Sequence, residues 1–118
     1  MKKFNLQQML STMEKKPLSK EVFCSVDHLK AQIMHLEAGN SIPPCKMEND
    51  VLFYILSGEG TITVDNETNM ITSGDCVVVP HQADSRSIHA ETDLEILAVQ
   101  GLKNKTHPRQ DNVQMVVE

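Results

Sequence analysis

Gly39-Asn-Ser-Ile-Pro-Pro-Cys45-Lys-Met47-Glu-Asn-Asp-Val51-Leu-Phe-Tyr-Ile-Leu-Ser-Gly58 and Gly74-Asp-Cys-Val-Val-Val-Pro80-His-Gln-Ala-Asp-Ser85-Arg-Ser-Ile-His89 are the two most informative stretches of this chain. Each opens on a glycine in a turn-like setting, where a positive φ is common and glycine alone adopts it cheaply. In the first, the apolar run Val51–Leu56 follows and ends in Ser-Gly-Glu-Gly. The second is a Val-Val-Val run halted by Pro80, which has no N–H to give to a strand ladder.

The rest of the chain repeats this grammar. Val22–Val26, Leu29–Leu36, Val51–Leu56, Thr61–Val64, Cys76–Val79, Ser85–His89 and Leu94–Val99 read as short strands. Turn signals at Ala38-Gly39-Asn40, Gly58-Glu-Gly60, Asp65-Asn66, Ser73-Gly74-Asp75 and Glu91-Thr-Asp93 separate them. Many short strands with regular punctuation indicate a sandwich or barrel, not a parallel sheet with crossover helices. Ahead of them, Leu6, Met9, Leu10 and Met13 fall at helical spacing, which predicts a short amphipathic helix over residues 5–14 with Pro17 at its end or just beyond.

Composition narrows the function classes. A chain of 118 residues is one domain with a single core. The net charge is −5, and the basic residues form only short groups such as Lys15-Lys16, so nucleic acid is not an expected partner. No apolar run approaches the ~20 residues of a membrane span. The N-terminal residues lack the apolar core of a signal peptide. Three cysteines at irregular spacing do not make a disulfide framework. A soluble protein of a reducing cytoplasm is the expectation. The domain division expected is an N-terminal helix and linker over 1–20, a barrel over 21–101 and a C-terminal tail over 102–118.

The two quoted stretches resemble the paired motifs of the cupin superfamily, G-x5-H-x-H-x3–4-E-x6-G and G-x5-P-x-G-x2-H-x3-N. The resemblance covers roughly residues 30–100 and implies an all-β fold, a double-stranded β-helix or jelly-roll barrel. At the positions where the superfamily holds its metal ligands, this chain carries Cys45, Met47, Val51 and Ser85. The metal-ligand set is therefore degenerate. Thiol, thioether, alkyl and hydroxyl groups do not suit the iron, manganese or nickel of such proteins, and thiolate with thioether suits only a soft ion such as Cu(I).

The resemblance implies that these ligand positions look into the barrel, and side-chain parity along the strands then gives the candidate ligand pocket. Cys45, Met47, Val51, Phe53 and Ile55 face inward on one side, and Ser85, Ser87 and His89 on the other. Leu52, Tyr54 and Leu56 face outward as an apolar stripe, which makes a homodimer the expected assembly. His89 is the best acid–base candidate. His28 and His107 read as solvated, His35 as a half-buried hydrogen-bonded residue, and His81 as a rim residue. Cys24 and Cys76 read as buried thiols. No catalytic residue, metal or cofactor is assigned. The favoured function is a non-catalytic barrel whose metal-free apolar pocket binds a small organic ligand, or a dimeric interaction module. The alternative is an enzyme, either a metal-independent isomerase or epimerase using His89 or Cys45 with Tyr54, or a metal site with unusual Cys/Met/His ligation.

Overall fold

The computed structural model describes residues 1–102, so the expected C-terminal tail over 102–118, apart from its first residue, and with it His107, lies outside the described residues. Helix α1 spans Leu6–Thr12. Its N-cap is Asn5, whose side-chain oxygen accepts the Gln8 amide at 3.0 Å and so satisfies one of the free donors of the first turn. Leu10 is buried, while Leu6, Met9 and Met13 are half-buried along the same face, as their spacing predicts. Pro17 lies in the linker that follows.

Nine strands come next: β1 Leu18–Val26, β2 Leu29–Leu36, β3 Ser41–Cys45, β4 Val51–Ser57, β5 Glu59–Val64, β6 Glu67–Thr72, β7 Cys76–Val79, β8 Arg86–Ala90 and β9 Leu94–Gly101. They form two antiparallel sheets, ordered β1-β2-β9-β4-β7 and β3-β8-β5-β6. This is the expected jelly-roll barrel. Two strands were not legible in the sequence. The Pro43-Pro44 pair argues against a strand, but β3 is an edge, and proline is tolerated there because one side of the ladder is unpaired. Strand β6 is the opposite edge of that sheet, and only its Ile71 is buried, so it has no apolar alternation to read. The two-residue Asp65-Asn66 turn joins it to β5, with Asp65 at φ 53°. Gly39 and Gly74 sit at φ 85° and 94°, the positive values that their turn settings suggest.

One core fills the space between the sheets. On the five-stranded sheet it takes Leu36, Ile55, Leu94 and Ile96, and on the four-stranded sheet Ile62, Ile88 and Ala90. The alternation on β4 is as read: Val51, Phe53 and Ile55 are buried, and Tyr54 points outward at 38% exposure. On β8 it is the reverse of the expectation. Arg86, Ile88 and Ala90 point inward, whereas Ser85, Ser87 and His89 lie half-buried on the outer side. The reason lies in the turn before β8. The Asp65 carboxylate accepts the amides of Asp84 and Ser85 at 2.8 and 3.0 Å, which pins those residues in the turn and hands the first inward position to residue 86. The family spacing counted from Pro80 is therefore out of phase by one, and a one-residue slip exchanges the two faces of a strand.

Among the described residues no helix is long and apolar enough to cross a membrane. The parity of β8 predicts that Ile88→Ala costs about 2–5 kcal/mol of stability, as large-to-small changes in cores do. By contrast, His89→Ala costs about 1 kcal/mol or less, the worth of an exposed hydrogen bond. Urea denaturation of the two variants checks the phase directly.

Candidate functional site

The two sheets splay apart at one end of the core, leaving a cavity of about 330 Å³. Pairing registers show why this end is open. Going along β2 and β9 from the closed end, Leu36 and Leu94 face each other, then Met34 and Ile96, then Gln32 and Ala98, then Lys30 and Gln100. The inward face thus changes from aliphatic to polar over four pairs, and apolar packing runs out toward the mouth. Strand β1 adds Lys20 opposite Met34, and β4 adds Val51 opposite Gln100. From the other sheet come Ile42, Cys45 and, paired with Cys45, Arg86.

Arg86 is the decisive side chain of this cavity. It is 8% exposed, its guanidinium carbon lies 5.4 Å from the centre of the Phe53 ring, and Nη2 donates to Met47 Sδ at 2.9 Å. A thioether sulfur is a weak acceptor. Among the described residues, Nε and Nη1 find no acceptor at all. Among the described residues no Asp or Glu lines the cavity, and two further cations, Lys20 and Lys30, do. A buried ion costs several kcal/mol in desolvation unless something compensates it. Phe53 returns a part of this through its ring face.

Four of the seven residues expected in the pocket meet here: Cys45, Met47, Val51 and Phe53 all line the cavity. Ser85, Ser87 and His89 do not, for the reason of phase given above. Cys45 is exposed at the mouth, and Met47 packs against the core. The residue that sequence reasoning missed is Arg86. Its signal was present, a lone arginine in a strand of inward–outward alternation, but the phase of that strand could not be counted from the motif.

A metal ion does not fit. The three mapped positions at the cavity supply a thiol, a thioether and an alkyl group, and the Arg86 cation is in contact with one of them. A guanidinium among the donors repels a second cation. Among the described residues no three His, Cys, Asp or Glu side chains gather in one place.

The other candidates are dispersed. His89 Nδ1 lies 2.7 Å from Ser41 Oγ, and its Nε2 3.6 Å from the Glu91 carboxylate, on the outer side of the four-stranded sheet. Tyr54 faces outward from the other sheet, so no His89–Cys45–Tyr54 constellation forms. His35 is fully buried instead of half-buried, and its Nδ1, 3.7 Å from Glu95 Oε2, has no hydrogen-bond partner among the described residues; the other oxygen of that carboxylate accepts from Ser57 Oγ. Cys76 is exposed instead of buried, because β7 is an edge strand and residue 76 takes its outward phase; Cys24 is half-buried.

The scan of family models shows what this barrel is: the model of the cupin domain matches residues 32–100, more than half of the chain. The chain belongs to the cupin family. A search of curated proteins finds no match. Among solved structures, this cupin is similar to a conserved protein of unknown function from Streptococcus pyogenes, with 23% identity, 87% of this chain and 89% of that one covered, and a TM-score of 0.73. It is likewise similar to an RmlC-like cupin of Desulfovibrio desulfuricans, with 22% identity, 86% and 96% coverage and a TM-score of 0.73. Salicylate 1,2-dioxygenase of Pseudoaminobacter salicylatoxidans matches at 20% identity and a TM-score of 0.68, over 71% of this chain and 26% of that one. Such likeness shows the fold alone, and cupins so different share it.

At the rim the structure holds a His–Asp pair. His81 donates to Asp50 Oδ1 from its backbone N–H at 2.8 Å and from Nδ1 at 3.0 Å, the ring proton being on Nδ1 because a carboxylate only accepts. The ring hydrogen bond, then the backbone one, hold the Asp50 carboxyl below its ordinary value. A depressed folded-state value adds stability above the unfolded pKa, and that contribution is lost as pH falls through the folded one. Both side chains are about half exposed or more, so the effect on stability is small. In His81→Ala the Asp50 titration, followed by NMR of the side-chain carboxyl, moves up toward the ordinary aspartate value and stops short of it, since the backbone bond survives.

Proposed function

We propose that this cupin is a non-catalytic binding protein that holds a small organic molecule in a metal-free cavity between its two sheets. The observation that carries the reading is the contact of Arg86 with Met47 among the mapped ligand positions. An enclosed concavity with apolar walls and a few convergent polar groups suits a small ligand. Its polar groups include no nucleophile–base pair and no set of hard metal donors. Cys24, Cys45 and Cys76 are free thiols, which suits the reducing compartment that we propose, the cytoplasm.

Metal analysis tests the reading first. Protein purified without chelator or an affinity-tag metal should contain Fe, Mn, Ni and Zn only in substoichiometric amounts, and a separate preparation under reducing conditions should be free of Cu(I). One equivalent of any of them, lost in Cys45→Ala, overturns the metal-free reading.

A second reading, assembly as a homodimer, has its own support. The outer face of the five-stranded sheet carries Leu52, Leu97 and Val99 half-buried, with Tyr54 at 38% and Val78 at 64% exposure. These residues are cross-strand neighbours, so the patch is continuous. Contiguous apolar surface of this kind marks an interface. We expect a dimer by light scattering at micromolar concentration. Tyr54→Asp, which would bury an unpaired charge at the contact, should shift it to monomer. A dimer unchanged by that substitution places the contact elsewhere.

A further inference from the structure

We propose that Arg86 is the anchor for the carboxylate of a small monoanionic organic acid, whose apolar body lies against Phe53, Met34 and Ile42 while Lys20 and Lys30 guard the entrance. The proposal rests on the ligand-binding reading of the cavity and names the chemical class of its ligand.

The guanidinium carries the argument. Its five N–H groups are a rigid planar donor set. One group, on Nη2, goes to a thioether, and among the described residues Nε and Nη1 have no acceptor. Neighbouring atoms cover both, so an entering carboxylate reaches them by displacing a covering side chain. The side chain is more than nine-tenths buried and its residue lines the cavity. Buried cations are ordinarily paired with an acid. Here, among the described residues, the wall holds three basic residues and no acid, in a chain whose net charge is −5. The local field therefore has the sign opposite to that of the molecule, and it draws anions to this one place.

Carboxylate fits better than phosphate. Two coplanar oxygens match two coplanar N–H groups, and one negative charge matches one buried cation. A phosphate brings up to two charges and a tetrahedral set of oxygens. Beyond Arg86 the wall offers it the neutral amides of Gln32 and Gln100 toward the mouth and the apolar Met34, Ile42, Val51 and Phe53, with no second buried cation among the described residues. The two lysines start from the outer strands of the mouth, Lys20 being exposed and Lys30 half-buried, so they steer the anion more than they bind it. The cavity, about 330 Å³, limits the acid to a small one.

Hexanoate and its neutral counterpart hexanol, benzoate and benzamide, and inorganic phosphate are the probes, titrated into the full-length protein by NMR with the Arg86 Nε–H and Met47 methyl signals as reporters. The expected result is a preference for each acid over its neutral partner of about tenfold to a hundredfold, the worth of a hydrogen bond to a charged group. Both reporters should shift, and phosphate should bind more weakly than either acid. Arg86→Met should lose the preference and still bind the neutral probes. Without ligand it should be no less stable than the wild type, since an uncompensated buried charge has been removed. Lys20→Met with Lys30→Met should weaken the anionic probes and leave the neutral ones unchanged, and only at low salt. Equal binding of acid and neutral partner by the wild type overturns the carboxylate proposal and leaves the pocket reading intact. Tighter binding of phosphate also overturns it. A marked fall in the stability of Arg86→Met would make the guanidinium a packing element, and overturns it as well. If no probe of either kind binds to the wild type or to Arg86→Met, the pocket reading itself fails.

Discussion

Two antiparallel sheets can share one core only if every strand turns the same alternate residues toward the gap, and this constraint governs both the stability and the site of the protein. Leu36, Ile55, Leu94 and Ile96 from one sheet meet Ile62, Ile88 and Ala90 from the other because each occupies the inward phase of its strand. The same phase that buries Ile88 and Ala90 buries Arg86, two residues before Ile88. Its charge is therefore inside as a consequence of the register that builds the core. No local rearrangement of β8 can expose the arginine without also turning Ile88 out.

The barrel is graded along its length. At the closed end the pairs are wholly aliphatic, and at the open end Lys30 faces Gln100. A retained buried cation is costly, and hydrophobic replacement of such groups is often neutral or stabilising. Among the described residues no acid lines the cavity beside this one. Arg86, Met47 and Phe53 form a connected group, with the ring beneath the guanidinium and the sulfur at its edge. They leave the remaining N–H groups without a protein acceptor among the described residues.

The outer surfaces follow different rules. Helix α1 covers part of the five-stranded sheet through Leu10, and Lys15 approaches Glu95 at 3.8 Å. The rest of that face shows Tyr54 and Val78 to solvent. The four-stranded sheet is largely polar outside, with Ser41, Ser87 and His89 on β3 and β8 and the Thr63–Thr68 hydrogen bond across the hairpin, Met70 being an exposed apolar exception. Largely polar on one outer face and apolar on the other, the molecule distinguishes its two sheets by what they can contact.

Much of this was legible in the residues themselves. The helix face of Leu6, Met9, Leu10 and Met13 and the turns at Gly39 and Gly74 are local properties, set by the period of 3.6 and by the steric freedom of glycine. The inward Val51, Phe53 and Ile55 followed from the family resemblance with the period of 2. Edge strands β3 and β6 were not legible, since prolines and polar residues lose their usual meaning where one side of a strand has no partner. The phase of β8 was invisible for another reason. It depends on Asp65, twenty residues before Ser85, whose carboxylate holds the turn and decides whether Ser85 or Arg86 enters the barrel first. The sequence by itself determined most of the strands, the turns between them and the residue types at the positions that resemble the family's ligand sites. Only the tertiary structure decided that a guanidinium lies among those positions, because a strand carries either of its faces inward with the same local geometry, and a contact from another strand makes the choice.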